Sequence, residues 1–491
     1  MEATEQRLRA AAPHIIDAAV AEAFDRPADL LAALAEKVKL EDREDVVWLL
    51  VVALTGTFPR AETVRSTRRT LRLSPDGLAA VALMKSLMDF GSQNLDVEMD
   101  VLSDSVIVDV DFCAKYTANT GIQRVVRQTM ARWDANYDIV PVAWTESAGA
   151  MRGLSEQELS RVTAWHHHVE PDYDQRVGHD EHRLIVPFRS VVILPEVPQP
   201  HLCDALAALA EFSGNRIGLI GYDAIPIVSA DTVPSEETER FVHYLTIIKH
   251  SDRVAGISAA STDDFLGFSN TLAAQGLPPV HTLEVRLPVD LPDREPAQAL
   301  DENLVPLVLC VGSQEPRKNQ DAVLFASEIL WREGFSFRLR FIGGGSLWFT
   351  RGFDKRVREL AKRGRLVEVW RGVKDDALLD SYASASFSIF PSLHEGYGLP
   401  VAESLAMGVP VITTGYGSTA EIAIGGGCVL VDPKDDASII DAMRSLIEGP
   451  DRIENLRAEI ATRSSRTWDD YAEDLWANLV QPLVAAKTVS A

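Results

Sequence analysis

Residues Phe390–Thr414 read FPSLHEGYGLPVAESLAMGVPVITT, an apolar run that passes through a glycine-bearing bend into a helical pattern. SFSIF, ending at Phe390, reads as a buried strand, PSLHEGYG as a loop and LPVAESLAM as a helix. Pro400 sits near the first helical position and Gly408 closes the helix. A strand that feeds a helix through such a bend is the repeating unit of a parallel α/β sheet, so this stretch decides the fold class. The helix start turns unpaired N–H groups and a positive dipole end toward the loop, which suits an anion such as phosphate. Gly396 and Gly398 let backbone approach that anion without a Cβ, and Tyr397 and Leu399 complete the predicted cradle with Pro400. Glu395 and Glu403 flank it. Carboxylates repel phosphate but accept hydrogen bonds from paired hydroxyls, and helical side chains lean toward the helix start, which brings Glu403 to the rim. A phosphate site between two hydroxyl readers predicts a nucleotide-sugar ligand.

The rest of the chain supports that frame. The 491 residues allow two to four domains, and 46% hydrophobic with 24% charged residues is ordinary for a globular protein. A net charge of -24 argues against nucleic acid as the main partner. Cys113, Cys203, Cys310 and Cys428 are scattered without a C-x-x-C pair, which argues against a zinc site or disulfide framework. The N-terminus carries acids where a signal peptide has a basic and then an apolar run, and Val46–Leu54 is too short to span a bilayer. The expectation is a cytoplasmic protein, peripheral at most to an inner membrane.

Helical periodicity alone marks residues 1–100 as a helical extension, which offers a surface for a homodimer. Apolar strands alternating with helices then mark a first Rossmann-like domain at 101–290. The Pro-bearing stretch Leu287–Pro306 reads as a linker. A second alternation follows at 291–465, with a terminal helix at 466–491 expected to pack back toward the first domain. Two such sheets place a ligand cleft between their strand carboxyl ends.

HEGYGLPVAESLAMGVPVITT resembles the donor-binding motif of family 4 retaining glycosyltransferases, which have the two-domain GT-B fold. The resemblance runs from about Ser105 to the C-terminus and is strongest from Val305 to Asp432. It implies that Glu395 contacts the transferred sugar and Glu403 the ribose, and that Arg317 and Lys318 of EPRKN take phosphate positions after Gly312 and Ser313. Two cations beside a helix start would stabilise a departing diphosphate. Many members carry arginine where this chain has Ser313, which puts more weight on Arg317. TGIQRVVR resembles a segment common among bacterial polysaccharide mannosyltransferases and implies that Gly121 approaches the donor. Arg124, one turn on, is a phosphate or acceptor candidate, or a structural ion pair. Gly372 and Val373 match the loop beside the base. In IGYDAIPI, Tyr222 replaces the histidine often found in relatives, while Asp223 remains a catalytic candidate.

The resemblance implies a retaining, metal-independent hexosyltransferase with no cofactor. It would move a hexose, mannose first, from a nucleoside diphosphate such as GDP to a glycan or lipid-linked acceptor in polysaccharide biosynthesis. A sugar-nucleotide epimerase of the same fold and a non-catalytic assembly scaffold are the alternatives. Three features are discounted. Asp109 and Asp111 imitate a D-x-D metal motif on an early strand, and the histidine-rich WHHHVEPDYDQRVGHDEH lacks H-E-x-x-H spacing. Arg65, Arg68, Arg69 and Arg72 share one helical face that reads as solvated, or as a dock for lipid headgroups.

Overall fold

The computed structural model describes residues 2–88, 90, 94–165, 183–288 and 305–488. The histidine-rich stretch beyond Trp165 and most of the linker lie outside them. Among the described residues the first domain carries nine strands: β1 (Met99–Leu102), β2 (Val106–Asp109), β3 (Val140–Trp144), β4 (Met151–Gly153), β5 (Leu184–Pro187), β6 (Val191–Leu194), β7 (Arg216–Gly221), β8 (Arg253–Gly256) and β9 (His281–Glu284). Their order is β1-β5-β4-β3-β2-β6-β7-β8-β9, parallel except where β4 runs against β3 and β5. The second domain carries β10 (Leu307–Val311), β11 (Arg338–Ile342), β12 (Val367–Trp370), β13 (Phe387–Phe390), β14 (Val411–Thr414) and β15 (Cys428–Val431). These six are all parallel, in the order β12-β11-β10-β13-β14-β15.

That order fixes where chemistry can occur. From β10 the chain winds outward through β11 and β12, then returns to lay β13 on the other side of β10, with Val308 beside Phe387 and Leu309 beside Ser388. The segments leaving β10 and β13 must therefore diverge to opposite faces, which opens a crevice at their carboxyl ends. In the first domain the order reverses in the same way at β2 and β6.

The N-terminal helices do not stand apart from the first sheet. Trp48 (helix Glu44–Thr55) meets Phe58 at 5.3 Å between ring centroids, and Phe58 meets Trp144 of β3 at 5.6 Å. Leu30, Leu50, Ile107 and Val192 belong to one continuous core. Pro13 breaks the first long helical pattern into Glu2–Ala11 and shorter turns, as a residue without an N–H must. Three of the four aligned arginines on helix Ala61–Leu73 pair within the chain, Arg65 with Glu211, Arg68 with Asp42 and Glu44, and Arg72 with Asp42. That face is solvated, with Arg65, Arg69 and Arg72 exposed, and most of its charge is partnered within the chain.

The C-terminal helical run crosses back to the first domain. Trp133 donates its indole N–H to the Ala472 carbonyl at 3.0 Å, and Tyr137 stacks on Trp476 with centroids 3.7 Å apart. Leu479 and Leu483 fill the space beside Gly218 of β7, where a Cβ would sit 3.1 and 3.0 Å from their methyls. Among the described residues no helix is long and apolar enough to cross a membrane.

Candidate functional site

The crevice beside β10 and β13 holds a buried ionic cluster. The segment after β10 bends at Gly312, then forms a short turn, Pro316–Lys318, ahead of helix Gln320–Arg332. Asn319 occupies the N-cap position in the left-handed region, but its side chain donates to the Pro433 carbonyl instead of capping the helix. Gly312 meets a second glycine turn after β11, since a Cβ on Gly343 would lie 2.0 Å from the Gly312 carbonyl oxygen. This packing points Arg317 and Lys318 toward the segment after β13, where Glu395 receives both. Lys318 Nζ donates to one carboxylate oxygen at 2.5 Å, and Arg317 Nη1 to the other at 2.9 Å. Ser392 Oγ adds a third donor at 2.6 Å, and Glu315 takes Arg317 Nε at 2.9 Å. Ser313, the expected phosphate neighbour, donates instead to Glu315 at 2.5 Å.

The electrostatics follow from this geometry. Burial opposes ionisation of Glu395, yet the charges of Lys318 and Arg317 and the donated hydrogen bonds prevail and hold its carboxyl below the usual range. Arg317 stays firmly protonated: burial works against its charge, but Glu395, Glu315 and Asp223 outweigh that. Burial, with the neighbouring Arg317, draws the Lys318 ammonium below its ordinary value although Glu395 opposes this.

The first domain closes over this cluster. Gly396 abuts Tyr222 and Asp223, and a Cβ there would stand 2.4 Å from the Tyr222 carbonyl oxygen and 2.9 Å from Asp223 Cβ. Ser258 Oγ donates to the Gly396 carbonyl at 2.6 Å, and Ser418 Oγ to that of Glu395 at 2.8 Å. Tyr397 is buried and donates its hydroxyl to the Leu287 carbonyl at 2.8 Å. His394 reaches Ser229 Oγ at 2.7 Å. Gly396, Tyr397 and Gly398 are therefore covered, which corrects the expectation of an open peptide cradle at this bend. Their glycines answer to close packing: Gly396 to the opposing domain, Gly398 to Thr419.

Tyr222 is buried and hydrogen-bonds the Pro195 carbonyl at 2.7 Å, so it holds the turn. Asp223 lies beside Arg317, Glu395 and His394, and burial raises its carboxyl above the usual range despite the pull of Arg317. Glu403, on helix Leu399–Ala406, takes Arg124 Nη1 at 2.9 Å across the domain boundary and Tyr382 Oη at 3.3 Å. Burial raises its carboxyl and Arg124 opposes this. Of the two readings of Arg124, the structure shows an ion pair, and it joins the domains. Gly121 opens helix Gly121–Asn136 at the same boundary, 3.2 Å from Leu399 Cδ1 if given a Cβ. Gly372 is exposed with φ of 62° at the end of β12, and Val373 packs against the core beside it.

Asp109 and Asp111 are engaged by Trp144, whose indole N–H and backbone N–H they accept at 2.9 and 2.7 Å. Burial, with Asp111 nearby, pushes Asp109 up to about 8. Sequence reading missed Ser392, Glu315, Ser258 and Ser418. Ser392 lies inside the motif, three residues before Glu395, and a local donor beside a buried carboxylate is the signal that could have found it.

Residues 305–449 match the family described as Glycosyl transferases group 1. The serotype-specific mannosyltransferase WbdA of Escherichia coli is 25% identical over 405 residues, 77% of this chain and 46% of that protein. The O-antigen chain mannosyltransferase B of Escherichia coli is 34% identical over 146 residues, 28% of this chain and 36% of that protein. The chain thus spans less than half the length of these relatives. Among solved structures, the sucrose-phosphate synthase of Thermosynechococcus elongatus aligns with a TM-score of 0.52 at 15% identity, covering 78% of this chain and all of that one. The trehalose 6-phosphate synthase of Burkholderia multivorans aligns with a TM-score of 0.51 at 12% identity, over 79% and 99%. The two sheets and their facing carboxyl ends are the GT-B fold.

Two outcomes test the geometry. Gly396→Ala drives a Cβ into backbone of the other domain, so urea denaturation should show a loss of about 1–3 kcal/mol; an unchanged midpoint would deny the contact. Glu395→Gln leaves two buried cations short of their partner, at a cost of about 3–5 kcal/mol near neutrality. Because the folded carboxyl titrates below its unfolded value of 4.5, the stability it contributes is present above that pH and lost as pH falls through the lowered value. The gap between wild type and variant should therefore narrow in acid; a gap that is constant with pH would contradict the assignment.

Proposed function

We propose, from a chain whose residues 305–449 form a group 1 glycosyltransferase domain, that the protein is a retaining hexosyltransferase of bacterial polysaccharide assembly. The observation that carries this reading is the buried Glu395 carboxylate clamped by Arg317 and Lys318 where the strand order reverses. The two cations suit the diphosphate of a nucleotide-sugar, and Glu395, already ionised and fixed with three donors, has one lone-pair site left to accept from a hexose hydroxyl. Donor entry requires the contacts of Gly396 with Tyr222 and of Arg124 with Glu403 to part. Glu403 then accepts from the ribose hydroxyls, while Arg124 turns to phosphate or acceptor. Mannose from GDP-mannose is the first candidate because WbdA and the O-antigen chain mannosyltransferase B are named mannosyltransferases. The acceptor is a glycan or a lipid-linked sugar.

In this scheme the bond from the anomeric carbon to the diphosphate oxygen breaks as an acceptor hydroxyl oxygen bonds to that carbon on the same face. The hydroxyl proton passes to the departing diphosphate. Arg317 and Lys318 stabilise the charge that grows on the leaving oxygen, the role a metal ion plays elsewhere, so no metal is required. Asp223, within the same electrostatic cluster and with its carboxyl raised by burial, is assigned to the side of the reacting sugar in this scheme.

Purified protein incubated with radiolabelled GDP-mannose, a glycan or lipid-linked acceptor and EDTA should move label to the acceptor with its anomeric configuration retained. Lys318→Ala and Glu395→Ala should each lower the rate on the order of 10²-fold or more while circular dichroism stays native. Label that appears in a changed hexose without acceptor would identify an epimerase, and full activity in either variant would refute the roles given to these residues.

A further inference from the structure

The helix Leu347–Lys362 presents a face that the proposed reaction does not use. Thr350, Phe353 and Val357 are buried against the second domain. At 100° per residue, Leu347, Trp348, Arg351, Lys355, Arg358 and Lys362 fall within one arc of about 100° on the opposite side. Leu347 and Trp348 are 85% and 87% exposed, at the very start of the helix. Arg351, Lys355, Arg358 and Lys362 are exposed, and none forms an ion pair with a described residue, although Arg356 and Arg365 nearby pair with Asp321 and Glu328. Residues 347–365 hold seven Lys and Arg against two acids, Asp354 and Glu359, in a chain of net charge -24. Such a local inversion of charge, tipped by an exposed Leu-Trp pair, has few uses in plain solvent.

We propose that this stripe docks the protein on an anionic lipid surface. The four cations meet the negative headgroups, and Leu347 and Trp348 enter the interface, where indole rings are favoured. Polyanion binding would use the cations alone and leave the Leu-Trp tip without a role, so lipid is favoured over RNA or an acidic glycan. The helix begins just past the carboxyl end of β11, on the side of the sheet where Arg317 and Glu395 also lie. Docking there would set the crevice mouth beside the bilayer. The overall negative charge repels the remainder of the surface from the same headgroups, so attachment is confined to this patch.

The test is co-sedimentation of the purified full chain with phosphatidylcholine vesicles that contain or lack phosphatidylglycerol. It reads no turnover, so it stands or falls apart from the proposed reaction. The wild type should sediment with the anionic vesicles only, and added salt should release it. Lys355→Ala/Arg358→Ala should weaken binding roughly 30-fold. Leu347→Ser/Trp348→Ser should also weaken it, with thermal unfolding of both variants unchanged because the four positions are exposed. Binding to neither vesicle, equal binding to both, or variants that bind as the wild type does would overturn the proposal. Retention on heparin or RNA through these residues, with no vesicle binding, would overturn it as well and assign the stripe to a polyanion.

Discussion

Two cations and one carboxylate, nearly shut off from water, are the constraint around which the second domain is arranged. Charges so placed are stable only when each is partnered, since removing one leaves the others desolvated without compensation. Arg317 and Lys318 leave β10, and Glu395 leaves β13 some 77 residues later. Their meeting is a result of topology: because the winding order reverses between these two strands, the two loops are neighbours at the carboxyl edge. Ser392, Glu315 and the glycine turns at Gly312 and Gly343 serve to hold that triad in one geometry. A preorganised charge cluster needs little rearrangement when charge develops on a leaving group, which is why this arrangement suits transfer chemistry.

The first domain is locked to the triad by few but specific contacts. Ser258 holds the Gly396 carbonyl, Tyr397 reaches back to Leu287, and Arg124 pairs with Glu403. Glu421 accepts from the backbone N–H groups of Ala259 and Ala260, capping helix Ala259–Thr271 from the opposite domain. Polar contacts of this kind can be exchanged for contacts to a ligand, whereas the apolar seam formed by Tyr137, Trp476, Leu479 and Leu483 cannot be opened without exposing core. The C-terminal helical run thus acts as the permanent tie between domains, and the crevice face as the changeable one.

Much of this was legible in the sequence. In the second domain β10, β13 and β14 are buried runs with glycine or proline at a boundary, the pattern of strands covered on both faces, while β11 and β12 toward one edge carry Arg338, Arg340 and Glu368. In the first domain β1, β4 and β5 were not read from the sequence; β4 is three residues long and runs against both its neighbours, which a strand–helix alternation does not announce. Glu395, Arg317 and Lys318, which the structure brings together, were singled out because a motif marks them. Ser258 was not, since its partner Gly396 lies 138 residues away and nothing local marks a serine as a long-range donor. The covering of Gly396–Gly398 was equally hidden: glycine in a loop signals close approach, but not whether a ligand or the Tyr222 carbonyl does the approaching. Charge patterning read Arg65–Arg72 as a solvated face, and Arg65, Arg69 and Arg72 are exposed; what it could not show is that the acids partnering that face, Asp42, Glu44 and Glu211, come from other elements.

The most direct measurement is a crystal structure of the protein with GDP-mannose bound. The account expects diphosphate oxygens within hydrogen-bond reach of Arg317 and Lys318, a hexose hydroxyl donating to Glu395, and ribose on Glu403 in place of Arg124. A nucleotide bound away from the β10–β13 crevice, or phosphates that leave the Arg317–Lys318–Glu395 triad untouched, would contradict it.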